Sequence, residues 1–301
     1  SDPQGAEKMT WSLTQTGSTV TGKADLSALN ATDGSCASCH KVKSGTVTAT
    51  VNLVRQIGSG VTTLGTGLSY TGGTQISGGT LVVNDPTALG AGGVITSGGG
   101  LLAGATETIH NILTMNGDFR IAAALGQTLT MASWDVAANG QTIAFGGPGQ
   151  NGTVVWGAAG LEMVSNPANG YTILVQAGTL RAGDSNFTIL ASSDTTTLIR
   201  PAGTLDTNGF SFTVNDLHGG GQIIDSGGAA SLTVNGGSFS GVISGPLSLS
   251  VTNNSSLSLS GNNTYTGTTT INSGSSLTLG AGGTTGSVSG AITDNGILAI
   301  N

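Results

Sequence analysis

The sequence predicts an all-β fold: a parallel β-helix, a solenoid of stacked coils, over residues 58–301, with a small β cap or hairpin module within residues 1–57. Three observations predict it. Residues 261–280 (GNNTYTGTTTINSGSSLTLG) hold two short β-branched runs, 268–271 and 276–279, joined by a Gly/Ser corner, which reads as strand, corner, strand. Residues 67–90 (GLSYTGGTQISGGTLVVNDPTALG) repeat that arrangement, and both copies run on into Leu-Gly-Ala-Gly-Gly, the self-similarity of a solenoid. The 301 residues include 52 Gly but only 8% charged and 4% aromatic residues. A compact globular core draws on more of both, whereas stacked coils need small and β-branched side chains with Gly, Asn and Asp at the corners.

Disorder is the competing reading of so much Gly, Ser and Thr. A mean hydropathy of +0.18 and the repeated Val/Ile/Leu alternation argue for a chain that buries a core. The net charge of -7 is unevenly placed. Residues 1–60 carry five bases (Lys8, Lys23, Lys41, Lys43 and Arg55) against four acids, and the remainder carries three bases against eleven acids, or -8. Such a surface has no basic stripe for nucleic acid. No apolar run approaches the ~20 residues of a membrane helix, so no transmembrane helix is expected. A start at Ser1 suggests a signal peptide already removed or a cut chain.

In chain order, residues 1–8 read as a flexible leader and residues 9–57 as the β module, with alternation at Trp11, Leu13 and Gln15, then Val20 and Gly22, then 46–54. A cap of this kind is expected where an open coil would expose strand edges. Between its strands lies Cys36-Ala37-Ser38-Cys39-His40, built from the only two cysteines of the chain. The bland reading is a local disulfide, Cys36 to Cys39, pinning an exported loop. The sharper reading is covalent haem c on Cys36 and Cys39 with His40 as iron ligand, and Met9, His110, Met115, Met131, Met163 and His218 as the pool for the distal position. Redox thiol or metal chemistry is a third reading, though a closed zinc site needs four ligands and three cluster here. No cofactor is the leading expectation and haem c the alternative. From residue 58 the chain is a run of short strands broken by Gly, Asn and Ser. About twelve coils of ~20 residues, at a strand spacing of ~4.8 Å, would make a rod near 60 Å long.

The YTG copies resemble the β-strand repeat of autotransporter passenger domains, as do residues 205–214 (LDTNGFSFTV), 238–249 (SFSGVISGPLSL) and 286–300 (GSVSGAITDNGILAI). The resemblance covers roughly residues 60–301. It implies a right-handed β-helix, secreted and displayed at or released from a bacterial surface, and it supplies no catalytic residues because the family is functionally mixed. Such sequences commonly continue into another coil, so the C-terminus is read as a processing site, a fragment boundary or an end that stacks on another subunit. WSLTQTGSTVTG with the later SGTVTATV resembles the first strands of small secreted calycin-like sheets.

Stacking places residues one coil apart above each other, so Asp184, Asp206 and Asp225, spaced by 22 and 19, form a candidate carboxylate ladder for calcium or acid/base work. The plainer reading is three turn residues, each bonding its own backbone. GPGQNG at 147–152 satisfies G-x-G-x-x-G, but a strand rather than a helix follows it, so it is discarded as a phosphate loop. Trp134 and Trp156 offer either a sugar platform or core packing. The Asn253-Asn254 and Asn262-Asn263 corners suggest amide ladders. The function these residues favour is a non-enzymatic stalk, adhesin-like passenger or extracellular filament subunit. It would act through end-to-end self-association or by recognising surface glycans or a host or cell surface. An extracellular haem electron carrier and a carbohydrate-active enzyme are the alternatives.

Overall fold

Alternation with period two sends every second side chain inward, and the fold repeats that rule coil after coil. The structure, a computed structural model, describes residues 7–16, 19–28, 44–50, 54–66, 68, 70–136, 140–157, 170–185, 191 and 194–301, with only the strand path for 7–50. Among the described residues all regular structure is β-strand apart from a single 3₁₀ residue. Three N-terminal strands, Glu7–Thr16, Thr19–Ala28 and Ser44–Thr50, form an antiparallel sheet in sequence order. Among the described residues every later strand pairs in parallel, in sheets of ten, twelve and five strands. The twelve strands of the longest sheet leave eleven steps between coils, in line with the expected count. The first solenoid strand, Val54–Gln56, pairs with Thr74–Ile76, so stacking already starts ahead of residue 58.

Inward positions form columns. On the twelve-strand face one column runs Leu81, Leu101, Ile121, Phe145, Val175, Ile199, Gly219, Phe239, Leu259 and Leu279. All of its side chains are buried, and Phe239 sits above Gly219, a large side chain over a missing one. On the ten-strand face Leu129, Val154, Leu180, Leu205, Ile223 and Ile243 stack likewise. Each such side chain contributes about 1.5–3 kcal/mol through burial.

The ten-strand sheet turns a corner at the bulge between Ile109 and Ile112, where the strand Glu107–Met115 splits into two pairing segments. From Phe212 onward a separate five-strand sheet covers a third flank: Phe212–Val214, Ala230–Val234, Leu247–Val251, Thr269–Ile271 and Ile292–Asp294. Inward it stacks Val214, Val234, Val251 and Ile271, all fully buried.

The two YTG copies share one internal device. Tyr70 and Tyr265 are buried, and their hydroxyls meet the Thr74 and Thr269 hydroxyls four residues on, at 2.7 and 2.5 Å. Tyr70 also donates to the Ala88 carbonyl of the next coil at 2.9 Å. Burial raises the pKa of both phenols, each hydrogen bond opposing it in part. A buried aromatic thus seats its polar end beside a strand start and leaves no orphan hydroxyl.

The expected strands at 94–95, 101–102, 142–145 and 276–279 lie within Val94–Thr96, Gly100–Ala103, Thr142–Phe145 and Ser276–Leu279. The one expected at 187–190 falls outside the described residues. The Asn253-Asn254 corner proves to serve a different end from an amide ladder. Both residues adopt left-handed φ values, 69° and 53°, which Asn tolerates better than other residues with side chains.

Candidate functional site

The outward side of the five-strand sheet is the most regular polar surface of the molecule. Five successive segments occupy it: SFTVN (211–215), SLTVN (231–235), SLSVT (248–252), TTTIN (268–272) and AITDN (291–295). The second and fourth residues of the first four segments are buried, whereas in the fifth Ile292 is half-buried and the carboxylate-bearing Asp294 is exposed; the first, third and fifth residues of each segment alternate with them on the outer side. The middle outward column is Thr213, Thr233, Ser250, Thr270 and Thr293, aligned by parallel pairing. A second column holds Ser211, Ser231, Ser248, Thr268 and Ala291; the Ser231 amide donates to Ser211 Oγ at 2.9 Å. The third holds Asn215, Asn235, Thr252, Asn272 and Asn295, and the backbone amides of the last four donate in turn to carbonyls of the preceding coil.

This third column is an amide ladder. Asn235 Nδ2 donates to Asn215 Oδ1 at 3.3 Å, and Asn272 Nδ2 donates to Ser250 Oγ at 2.9 Å and the Val251 carbonyl at 3.0 Å. Amides of this kind satisfy corner groups without charge. None of the fifteen outward positions is charged or aromatic. The hydroxyls of Thr213, Thr233, Thr270 and Thr293 have no protein partner among the described residues, so each keeps one donor and two acceptor sites for something else. Successive rungs lie ~4.8 Å apart along the rod.

Asp206 stands above Arg181 and level with Ile224, so Asp206 and Asp225 share a corner on successive coils, whereas Asp184 lies three residues beyond Arg181, out of register with them; all three are buried. Asp206 Oδ2 pairs with Arg181 Nε and accepts from Ser226 Oγ, both at 2.7 Å; its Oδ1 accepts the Asn208 and Ser226 amides at 3.0 and 3.1 Å. Asp225 Oδ1 accepts from the amides of Gly209, 2.7 Å, and Gly227, 3.2 Å. Asp184 approaches Gly157 of the preceding coil. Two of the three thus bond the amide two residues ahead while tying neighbouring coils together, an arrangement that holds a corner. Among the described residues no three His, Cys, Asp or Glu side chains gather to hold a metal ion.

A half-open cavity of about 490 Å³ crosses three coils near the bulge, with Tyr70, Pro86, Thr87, His110 and Asn111 on its walls. Asn111 Nδ2 closes one side by donating to the carbonyls of Gly90 and Gly92. Three residues before His110, Glu107 points inward at the head of the Leu129 column. It is 6% exposed, and neither carboxyl oxygen has a hydrogen-bond partner among the described residues. Burial, and then the nearby charge of Asp85, push its pKa up to about 7.

The remaining candidate residues do not converge. Cys36, Cys39, His40 and Met163 lie outside the described residues, and Met9 lies on the strand Glu7–Thr16, whose side chains are not described. Met115 and Met131 are core residues. His218 is on the twelve-strand face, its Nε2 2.8 Å from Asp216 Oδ1. Trp134 and Trp156 are buried edge to face and offer no outer platform. The 147–152 segment is a Gly-rich corner closed by the Gln150 amide on the Gly147 carbonyl, with a strand after it.

A parallel solenoid with uncharged outer columns and passenger-type YTG repeats defines a class, and comparison with known proteins points to it. The Passenger-associated-transport-repeat family matches residues 54–83 and 249–279, the two stretches that contain the YTG copies. The chain is 32% identical over 311 residues to a protein named "Adhesin BmaC autotransporter" from Brucella suis biovar 1 (strain 1330), across 97% of this chain. It spans only 9% of that relative's length. No solved structure gives a significant match. These similarities, together with the parallel solenoid, support an autotransporter passenger β-helix, and with it a place at the cell surface or in the extracellular space. No helix among the described residues is long and apolar enough to cross a membrane.

Proposed function

We propose that this chain is an adhesive passenger segment: a rigid rod that presents its flank to another surface and binds without transforming it. The observation that carries this reading is the uncharged three-column lattice on the five-strand face, whose middle-column threonines have no side-chain partner among the described residues. The name of the Brucella relative, an adhesin, points the same way. Beads coated with the purified chain should attach saturably to cells and be displaced by soluble chain. Attachment no better than that of an inert protein of equal charge would end the proposal.

A further inference from the structure

The five-strand face is selective in what it offers. Elsewhere the outward positions are mixed: Arg181 beside Val155 on the ten-strand face, His218 beside Leu198 on the twelve-strand face, and Ile95 and Ile112 exposed near the bulge. On the five-strand face fourteen of the fifteen positions carry a hydroxyl or an amide and the fifteenth is Ala291. Only the hydrogen-bonding character of the neighbour can be read there.

We propose that this face binds a neutral, linear polysaccharide laid along the rod axis; the proposal rests on the adhesive reading above and names the ligand class of the same site. Charge selects neutrality. The lattice has no cation to pair with carboxylates or sulfates, and the solenoid around it carries -8, which repels polyanions. Hydroxyls select a partner rich in hydroxyls, since a Thr or Ser hydroxyl both donates and accepts, as a sugar hydroxyl does. The lack of outward aromatics rules out recognition through stacked rings, so contact is made by hydrogen bonds at ring edges.

Repetition selects a polymer. One rung supplies two or three hydrogen bonds, each of small net worth against water, too little to hold a single sugar. A chain repeating at roughly the coil spacing of ~4.8 Å makes each later contact intramolecular, so affinity accumulates along the rungs. The Asn215–Asn235 and Asn272–Ser250 bonds keep the rungs in line before any ligand arrives, which lowers the ordering cost of binding.

The test uses the intact chain on arrays of neutral polysaccharides (glucans, mannans, galactans), their oligomers and an acidic polyuronate. Expected are binding to at least one neutral polymer, none to the polyuronate, and affinity that climbs at least tenfold from a disaccharide to a hexamer. Paired Thr233→Lys and Thr270→Lys should abolish binding, and the isosteric Thr233→Val with Thr270→Val should weaken it severalfold with an unchanged melting curve. Thr153→Lys, on the ten-strand face, should leave it intact. Binding that survives both five-strand-face pairs, or that ignores oligomer length, overturns the proposal. So does a face that pairs only with a second copy in sedimentation. If beads attach to cells while no neutral polymer binds, the ligand class is wrong and the adhesive reading stands. If neither happens, both fall.

Discussion

The corner of Asp206 and Asp225 and the columns from Thr213 to Thr293 both set polar residues on successive coils of the same rod. At the aspartate corner nearly every polar atom of Asp206 is spent on the protein: Arg181, Ser226 and two backbone amides consume its carboxylate. On the five-strand face the threonine hydroxyls are left over. Periodicity alone therefore does not make a site; what distinguishes Asp206 from the threonines is whether the fold has already used its hydrogen-bonding capacity.

The comparison is sharpened first by breaking what both depend on, the inward columns. Phe239→Ala removes a fully buried ring stacked above Gly219, which has no side chain to move into the gap, and should cost about 3–5 kcal/mol. Hydrogen exchange should show coils around 219–259 opening while the N-terminal coils keep their protection, because each coil contacts only its neighbours.

Glu107 tests the opposite situation, a polar group the fold encloses without using. Its folded pKa of about 7 lies above the usual 4.5, so the folded state holds the proton more tightly than the unfolded chain. The stability this contributes is fully present below about pH 4.5. It is lost progressively between about pH 4.5 and 7, amounting to about 3 kcal/mol, and changes no further above that. Glu107→Gln should flatten that part of the stability curve, and Glu107→Leu should match it to the Leu129 column and raise the melting temperature at pH 8. An identical pH profile for wild type and the Gln variant would show that the carboxyl finds a partner in solution.

The smallest effect is expected at the tyrosine device. Tyr265→Phe keeps the ring but leaves the Thr269 hydroxyl without its 2.5 Å partner, costing about 1–2 kcal/mol. A double-mutant cycle with Thr269→Val should recover most of it.

The solenoid was legible because its signals are local. Tyr-Thr-Gly, the Ser-Gly corner and the β-branched runs occur within twenty residues and need no partner to be recognised. The outer columns were less accessible, though the tripeptides Thr213-Val214-Asn215, Thr233-Val234-Asn235 and Thr270-Ile271-Asn272 carry their signature. Coil length is the obstacle. The register step is seventeen residues from Ser231 to Ser248, twenty from Ser250 to Thr270, and thirty from Thr142 to Thr172. A fixed period slides out of phase, and only the pairing of backbone amides says which outward residues stand above one another. The same limit explains the asparagines: Asn253 and Asn254 look like ladder members, yet backbone geometry assigns them to a left-handed turn, and the ladder forms at Asn215 and Asn235.

Parallel stacking also gives the molecule a mechanical character. A pull along the axis loads the hydrogen bonds between coils in series, and a coil that detaches adds only ~4.8 Å of rod when folded but about 70 Å of chain when some twenty residues straighten. Under such a load the rod would behave as a reel that lengthens one coil at a time. Neighbouring coils joined by Asp206 to Ser226 or by Asn263 to Ser287 would be the catches that let go last.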